Sequence, residues 1–224
     1  GSCWAFSGTG AIESALLMNN QTETILAEQL YVDCAPNPDS CGGTGGCSGS
    51  IQPLLFEYAM TEGAVLETDY AYTASTDTCK AALKTPVASI EGYEVLPENL
   101  SPEDMMQYLV TKGPLAVSVD ASSWSAYGGG VLSYAACGTD IDHAVMMVGY
   151  GTDPVYGDYW TIKNSWGSSW GEDGYIRISR EDGNATDTSP GDGTGCADGP
   201  SEVTVRGTCG IYYANSYPYG AKLL

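Results

Sequence analysis

Apolar residues in the first part of the chain fall at helical intervals, whereas those beyond residue 113 fall at the intervals of strands. Ile12, Ala15 and Leu16 stand at i, i+3 and i+4, which predicts a helix opening near Gly1-Ser2-Cys3 with Ser2 placed to cap it. A shorter helix is predicted over 26–32 and another over Gln52–Thr61, stopped by Gly63. Ser101-Pro102-Glu103-Asp104 is the clearest helix start in the chain, with a capping hydroxyl, proline at the first helical position and acids in the first turn. After Gly113-Pro114, β-branched and aromatic runs at 115–121, 145–150, 159–163 and 175–179 are separated by Gly and Asp turns and predict strands. Helices followed by strands indicate an α+β protein, with a helical lobe over 1–97 and a β-rich lobe over 98–224.

Two segments break this pattern. Residues 35–50 are dense in Gly, Pro, Asn and Ser and carry Cys41 and Cys47, which predicts a loop. Residues 181–200 are Gly, Asp, Ser and Thr with almost nothing apolar, and read as a solvated insertion. The acids there do not have the spacing of a calcium loop.

Composition narrows the class. The hydrophobic share of 43% suffices for a core despite a formal charge of −20. That charge argues against nucleic acid, whose phosphates need a basic surface, and no apolar run is long enough for a membrane span. It has two readings, solubility in a mildly acidic vesicle, which we favour, or general halotolerance. Eight cysteines and sequons at Asn20, Asn99 and Asn184 suit an oxidising, secretory compartment. The spacing of Cys34, Cys41 and Cys47 does not suit a zinc site, so disulfides are expected and no metal.

The candidate chemistry starts at Cys3. At the first turn of a helix, unpaired N–H groups and the dipole favour a thiolate, and a histidine would depress the thiol pKa further. The chain has one histidine, His143, at the head of the apolar run 144–148. Asn164 ends a later strand, and its amide oxygen could accept the imidazole N–H and orient the ring.

Three blocks carry these residues: Gly1-Ser2-Cys3-Trp4-Ala5-Phe6-Ser7, Asp142-His143-Ala144-Val145, and Asn164-Ser165-Trp166-Gly167. In this order they resemble the signature blocks of papain-family cysteine proteases, and His143 follows Cys3 by 140 residues, within the family's usual interval. The resemblance implies a two-lobed fold with the active-site cleft between a helical lobe and a β-barrel-like lobe. It implies a cysteine endopeptidase without a cofactor, in which Cys3 is the nucleophile, His143 the acid and base, Asn164 the orienter and Trp166 a shield over their hydrogen bond. Substrate would meet Gly49, Ser50, Ile51, Gln52, Ser118, Ile141, Asp142, Ala144 and Ala214, a mostly small or apolar set that implies an apolar residue two positions before the cut. Ser50 stands where the family usually has glycine.

The resemblance also implies disulfides Cys34–Cys79 and Cys137–Cys209, and leaves Cys41 and Cys196 unassigned. An oxyanion-donating glutamine and a partner for Cys47 are expected upstream of Gly1, beyond this sequence. Expected partners are protein or peptide substrates and a propeptide or cystatin-like inhibitors, for a monomeric enzyme that is secreted or held in a lysosome- or vacuole-like compartment. With no second histidine, a histidine-bearing occluding loop, as in some exopeptidase relatives, is not expected. The alternative is a non-catalytic or storage relative that keeps the fold.

Overall fold

The computed structural model describes residues 1–20 and 22–224, so the sequon from Asn20 runs through Gln21, outside the described residues. The helices are α1 (Cys3–Asn20), α2 (Glu28–Cys34), α3 (Gln52–Thr61) and α4 (Pro102–Lys112). The strands are β1 (Ala88–Ser89), β2 (Gly92–Val95), β3 (Leu115–Val119), β4 (Val131–Leu132), β5 (His143–Asp153), β6 (Gly157–Lys163), β7 (Tyr175–Ser179), β8 (Asn184–Asp187), β9 (Val203–Arg206), β10 (Asn215–Tyr219) and β11 (Lys222–Leu223). A seven-stranded sheet runs in the order β2-β10-β3-β5-β6-β7-β4, antiparallel except for the β4–β7 pair. Two short ladders, β1–β11 and β8–β9, stand outside it.

Helix α1 is buried on almost every side through Ile12, which explains why its apolar residues form no narrow stripe. Gly8 and Gly10 permit this, because an added Cβ would stand 2.8 Å from the Leu55 side chain at one and 2.4 Å from Met146 Sδ at the other. Ser2 does not cap the helix through its hydroxyl, which is hydrogen-bonded to the Tyr72 hydroxyl at 2.6 Å. Its carbonyl accepts instead from the Ala5 and Phe6 N–H groups. Helix α2 starts two residues later than its periodicity suggests, because Leu26 is bridged to Leu66 and the Ala27 N–H donates to the Val65 carbonyl.

Strands β3 and β5 are near-continuous apolar runs because the sheet is buried on both faces. Their alternation splits them between two cores. Ala116, Ala144 and Met146 pack with α1–α3, while Leu115, Val117, Val119, Val145 and Met147 pack with α4, Trp124 and Trp160. A buried polar node ties these layers: Gln52 Nε2 donates to the Val117 carbonyl and Ser7 Oγ, and Ser7 Oγ donates to the Val145 carbonyl.

Ser101 Oγ accepts from the Asp104 N–H at 3.1 Å, the cap that the sequence predicts for α4. Ser101→Ala is expected to cost about 1 kcal/mol. Thermal unfolding should show a drop of about 2–4 °C, and an unchanged midpoint would mean that the cap contributes nothing.

The insertion at 181–200 is more structured than a solvated loop. It contains β8, the turn Pro190–Asp192 and Cys196, which is bonded to Cys41. It is held by backbone hydrogen bonds and a covalent bond rather than by apolar burial, so hydropathy does not register it. Cys34 is bonded to Cys79 and Cys137 to Cys209, which leaves Cys3 and Cys47 as the free thiols among the described residues. No helix among the described residues is long and apolar enough to cross a membrane.

Candidate active site

Three element ends supply the chemistry. Cys3 is the first residue of α1, His143 the first of β5, and Asn164 directly follows β6. His143 is fixed by its pairing with Val119 of β3, and the Asn164 N–H donates to the Gly174 carbonyl at 3.1 Å. His143 Nε2 lies 2.8 Å from Asn164 Oδ1, which also accepts from the Ser165 N–H at 2.8 Å. That second bond fixes which way the amide faces, so the ring nitrogen toward Asn164 is the donor and the other is left for Cys3.

Burial alone would raise the Cys3 pKa, but the hydrogen bond and charge of His143, joined by the Ala144 backbone, hold it below the ordinary thiol value. Burial alone would lower the His143 pKa, but Cys3, Asn164 and Asp142 raise it above the ordinary imidazole value. The two shifts run in opposite directions, each group favouring the charged form of the other, and the titrations belong to the pair rather than to either residue. Asp142 is adjacent, and its carboxylate accepts from the Ala121 N–H at 2.9 Å while burial raises its own pKa.

Aromatic rings pack around His143. The Trp166 ring is 5.1 Å from the His143 ring, and Trp124, fully buried, meets His143 edge-on at 6.1 Å. Trp170 stacks on Trp124 at 6.1 Å and closes against Trp166 at 5.2 Å. Trp166 was legible from its motif, but Trp124 was not, because it reaches His143 from a short turn after β3 with no motif around it.

The expected substrate residues divide between two cavities. Gly49, Ser50, Asp142 and Ala144 line one of about 290 Å³ that also holds Cys3 and His143. Ile51, Gln52, Ser118 and Ala214 line another, of about 180 Å³ and mostly apolar. Ile141 is fully buried and lines neither. Sequence reasoning missed the residues between the cavities, Gly193 on the catalytic side and Thr194 on the apolar side, since nothing in a Gly-Asp-Gly-Thr run announces them. No group of His, Cys, Asp or Glu side chains among the described residues is arranged to hold a metal ion.

A cysteine at a helix start, a histidine at a strand head and an amide hydrogen-bonded to its ring are the arrangement of cysteine-nucleophile sites. Within that class the comparisons are specific. The model of the papain family cysteine proteases matches residues 1–190. Cysteine protease 1 of Oryza sativa subsp. japonica is 39% identical over 97% of this chain, and cathepsin L of Sarcophaga peregrina is 36% identical over 97%. The chain spans 40% and 57% of those two relatives, about half their length. Among solved structures, bromelain protease from Ananas comosus in complex with the E64 inhibitor superposes with a TM-score of 0.77 at 35% identity, over 98% of this chain and 89% of that one. Digestive procathepsin L 3 of Tenebrio molitor gives 0.75 at 34%, over 97% and 63%. The chain belongs to the papain family of cysteine proteases.

Proposed function

We propose that this chain hydrolyses peptide bonds by acyl transfer through Cys3. The observation that carries the reading is His143 held between the Cys3 thiol and Asn164 Oδ1. The Cys3 thiolate attacks the substrate carbonyl, and its sulfur–carbon bond forms as the carbonyl oxygen takes up charge. The free N–H groups at the start of α1 favour that oxyanion. His143 then gives its proton to the leaving amine, the carbon–nitrogen bond breaks and a thioester remains on Cys3. Water, deprotonated by His143, attacks the thioester, releasing the acid and restoring the thiolate. Asn164 holds the ring through both transfers, and Trp166 and Trp124 keep water from the His143–Asn164 bond. No metal or organic cofactor enters any step.

Substrates are proteins or peptides, with a backbone laid along Gly49 and Ser50 as an added strand. The apolar cavity of Ile51, Ser118 and Ala214 suits an apolar side chain two positions before the cut. The cleft lies between lobes 1–97 and 98–224, each built around its own core, although Ala116, Ala144, Met146 and Ala221 of the second segment pack into the core of the first. A propeptide and cystatin-like inhibitors are the partners this site would meet, in a secreted or lysosome- or vacuole-like compartment. The procathepsin among the solved relatives supports the propeptide. The intact Cys3, His143 and Asn164 do not favour the non-catalytic or storage alternative.

Labelling with an epoxide thiol trap, followed by intact mass, tests the reading. The expected result is one adduct at mildly acidic pH, lost in Cys3→Ala. With the Cys3 pKa lowered, the rate should hold as pH falls through the range in which a free thiol of pKa about 8.5 is already protonated. Hydrolysis should fall on the alkaline side as His143 loses its proton. A folded protein that labels no faster than a free thiol would turn the conclusion to the storage reading.

A further inference from the structure

Residues 189–197 play no part in the chemistry above, yet they cross the cleft. On the sheet side the strip is anchored by Asp187, fully buried, whose carboxylate accepts from the Ile141 and Ser189 N–H groups. Thr188 adds two bonds to the Asp140 carboxylate, from its N–H at 2.6 Å and its hydroxyl at 3.0 Å. The Pro190 carbonyl then accepts from the Thr194 and Gly195 N–H groups, folding the strip into a tight turn. On the helical side the Gly42 N–H donates to the Gly195 carbonyl at 2.8 Å, the Ala197 N–H donates to the Asp39 carbonyl at 2.9 Å, and Cys196 is bonded to Cys41.

The middle of the strip is wedged between the cleft walls. A Cβ added to Gly193 would stand 2.1 Å from the Ile141 carbonyl oxygen and 3.1 Å from the Asp142 nitrogen. On the opposite wall, a Cβ added to Gly42 would meet the Gly193 carbonyl oxygen at 2.9 Å and the Ser50 carbonyl oxygen at 3.0 Å. Gly193 therefore packs against Ile141 on one wall, with its carbonyl oxygen near Gly42 on the other, and only a residue without a side chain fits there. A peptide strand added beside Ser50 needs a lane about 4.8 Å wide, and Gly193 lines the same cavity as Ser50. The next residue, Thr194, lines the apolar cavity.

We propose that residues 189–197 form a disulfide-held strap that sets the length of substrate the site accepts. With the strap seated, one residue before the cut fits in the cavity of Cys3 and the next meets Gly193, so the site trims single residues from amino-terminal chain ends. With the strap lifted, the lane along Ser50 opens, the apolar cavity takes the second residue, and the site cuts within chains. The inference rests on the proposed role of Cys3, and the charge on the strap plays no part in it.

The test compares alkylation of Cys3 by three probes, located by peptide mapping so that Cys47 is scored separately. They are iodoacetamide, a one-residue alanyl chloromethyl ketone, and acetyl-alanyl-leucyl-alanyl chloromethyl ketone. In the disulfide-intact protein the one-residue ketone should outpace the longer one by about 100-fold, because seating the longer probe must break the backbone bonds from Gly42 and Ala197. In the Cys41→Ser/Cys196→Ser double variant, the longer ketone should gain at least tenfold while the one-residue ketone changes by less than threefold. A longer ketone that matches or outpaces the short one in the disulfide-intact protein overturns the strap, and that comparison needs no variant to fold. Iodoacetamide separates the two readings. Slow alkylation by it counts against Cys3 as an activated nucleophile, and the ratio of the two ketones still reads the strap.

Discussion

His143→Gln is expected to lower peptide hydrolysis by up to about 10⁶-fold, the scale seen when a nucleophile loses its base. The same change should remove the acidic-pH reactivity of Cys3. Its thiolate is held against burial by the hydrogen bond and charge of His143, and glutamine carries no charge to replace them. At about pH 5.5 an ordinary thiol of pKa about 8.5 is only about one-thousandth ionised, so alkylation should fall by up to that factor. It should recover as pH rises toward 8–9, whereas hydrolysis should not recover, since no group remains to protonate the leaving amine. Reading both reactions across pH separates the two roles. Alkylation of the variant at acidic pH that equals the unmodified protein would show that something other than His143 ionises Cys3, and the proposed pair would be wrong.

Trp124→Ala is the largest stability change expected near the site. Trp124 is fully buried, stacks on Trp170 and meets His143 edge-on, so truncation removes core packing and one wall of the imidazole at once. A buried tryptophan cut to alanine costs about 3–5 kcal/mol, which in a chain of this size is a fall of about 6–20 °C in unfolding midpoint. Water admitted beside His143 should also weaken its bond to Asn164, so activity measured well below the midpoint should fall too. Trp124→Phe, which keeps a ring edge against His143, should recover most of the activity and part of the stability. A midpoint lowered by less than about 2 °C would mean that the Trp124 ring is not part of the core.

Much of this protein can be read from local sequence because local rules operate there. Helix α3 occupies the predicted residues, α4 is capped by Ser101 as its sequence requires, and β7 matches its run of β-branched and aromatic residues. Errors occur where a distant partner decides a boundary. Strand β5 begins at His143, at the head of the run 144–148, but it continues to Asp153, beyond the predicted 145–150, because β6 pairs with that end. Helix α2 starts late because Leu26 is committed to Leu66.

By itself the sequence determined the residue types that carry the chemistry, their order along the chain and the local geometry of each. A cysteine falls at a helix start, a histidine at a strand head and an asparagine after the next strand, and each rule involved reaches only a few residues. The tertiary structure alone decided what stands between them. It set Trp124 against His143, separated the catalytic cavity from the apolar one and joined Cys41 to Cys196 across 155 residues. The strap region is polar and glycine-rich, so burial leaves no periodic trace in it. Its position is fixed by backbone hydrogen bonds and one covalent bond to a distant loop, and these interactions depend on where the chain passes rather than on hydropathy.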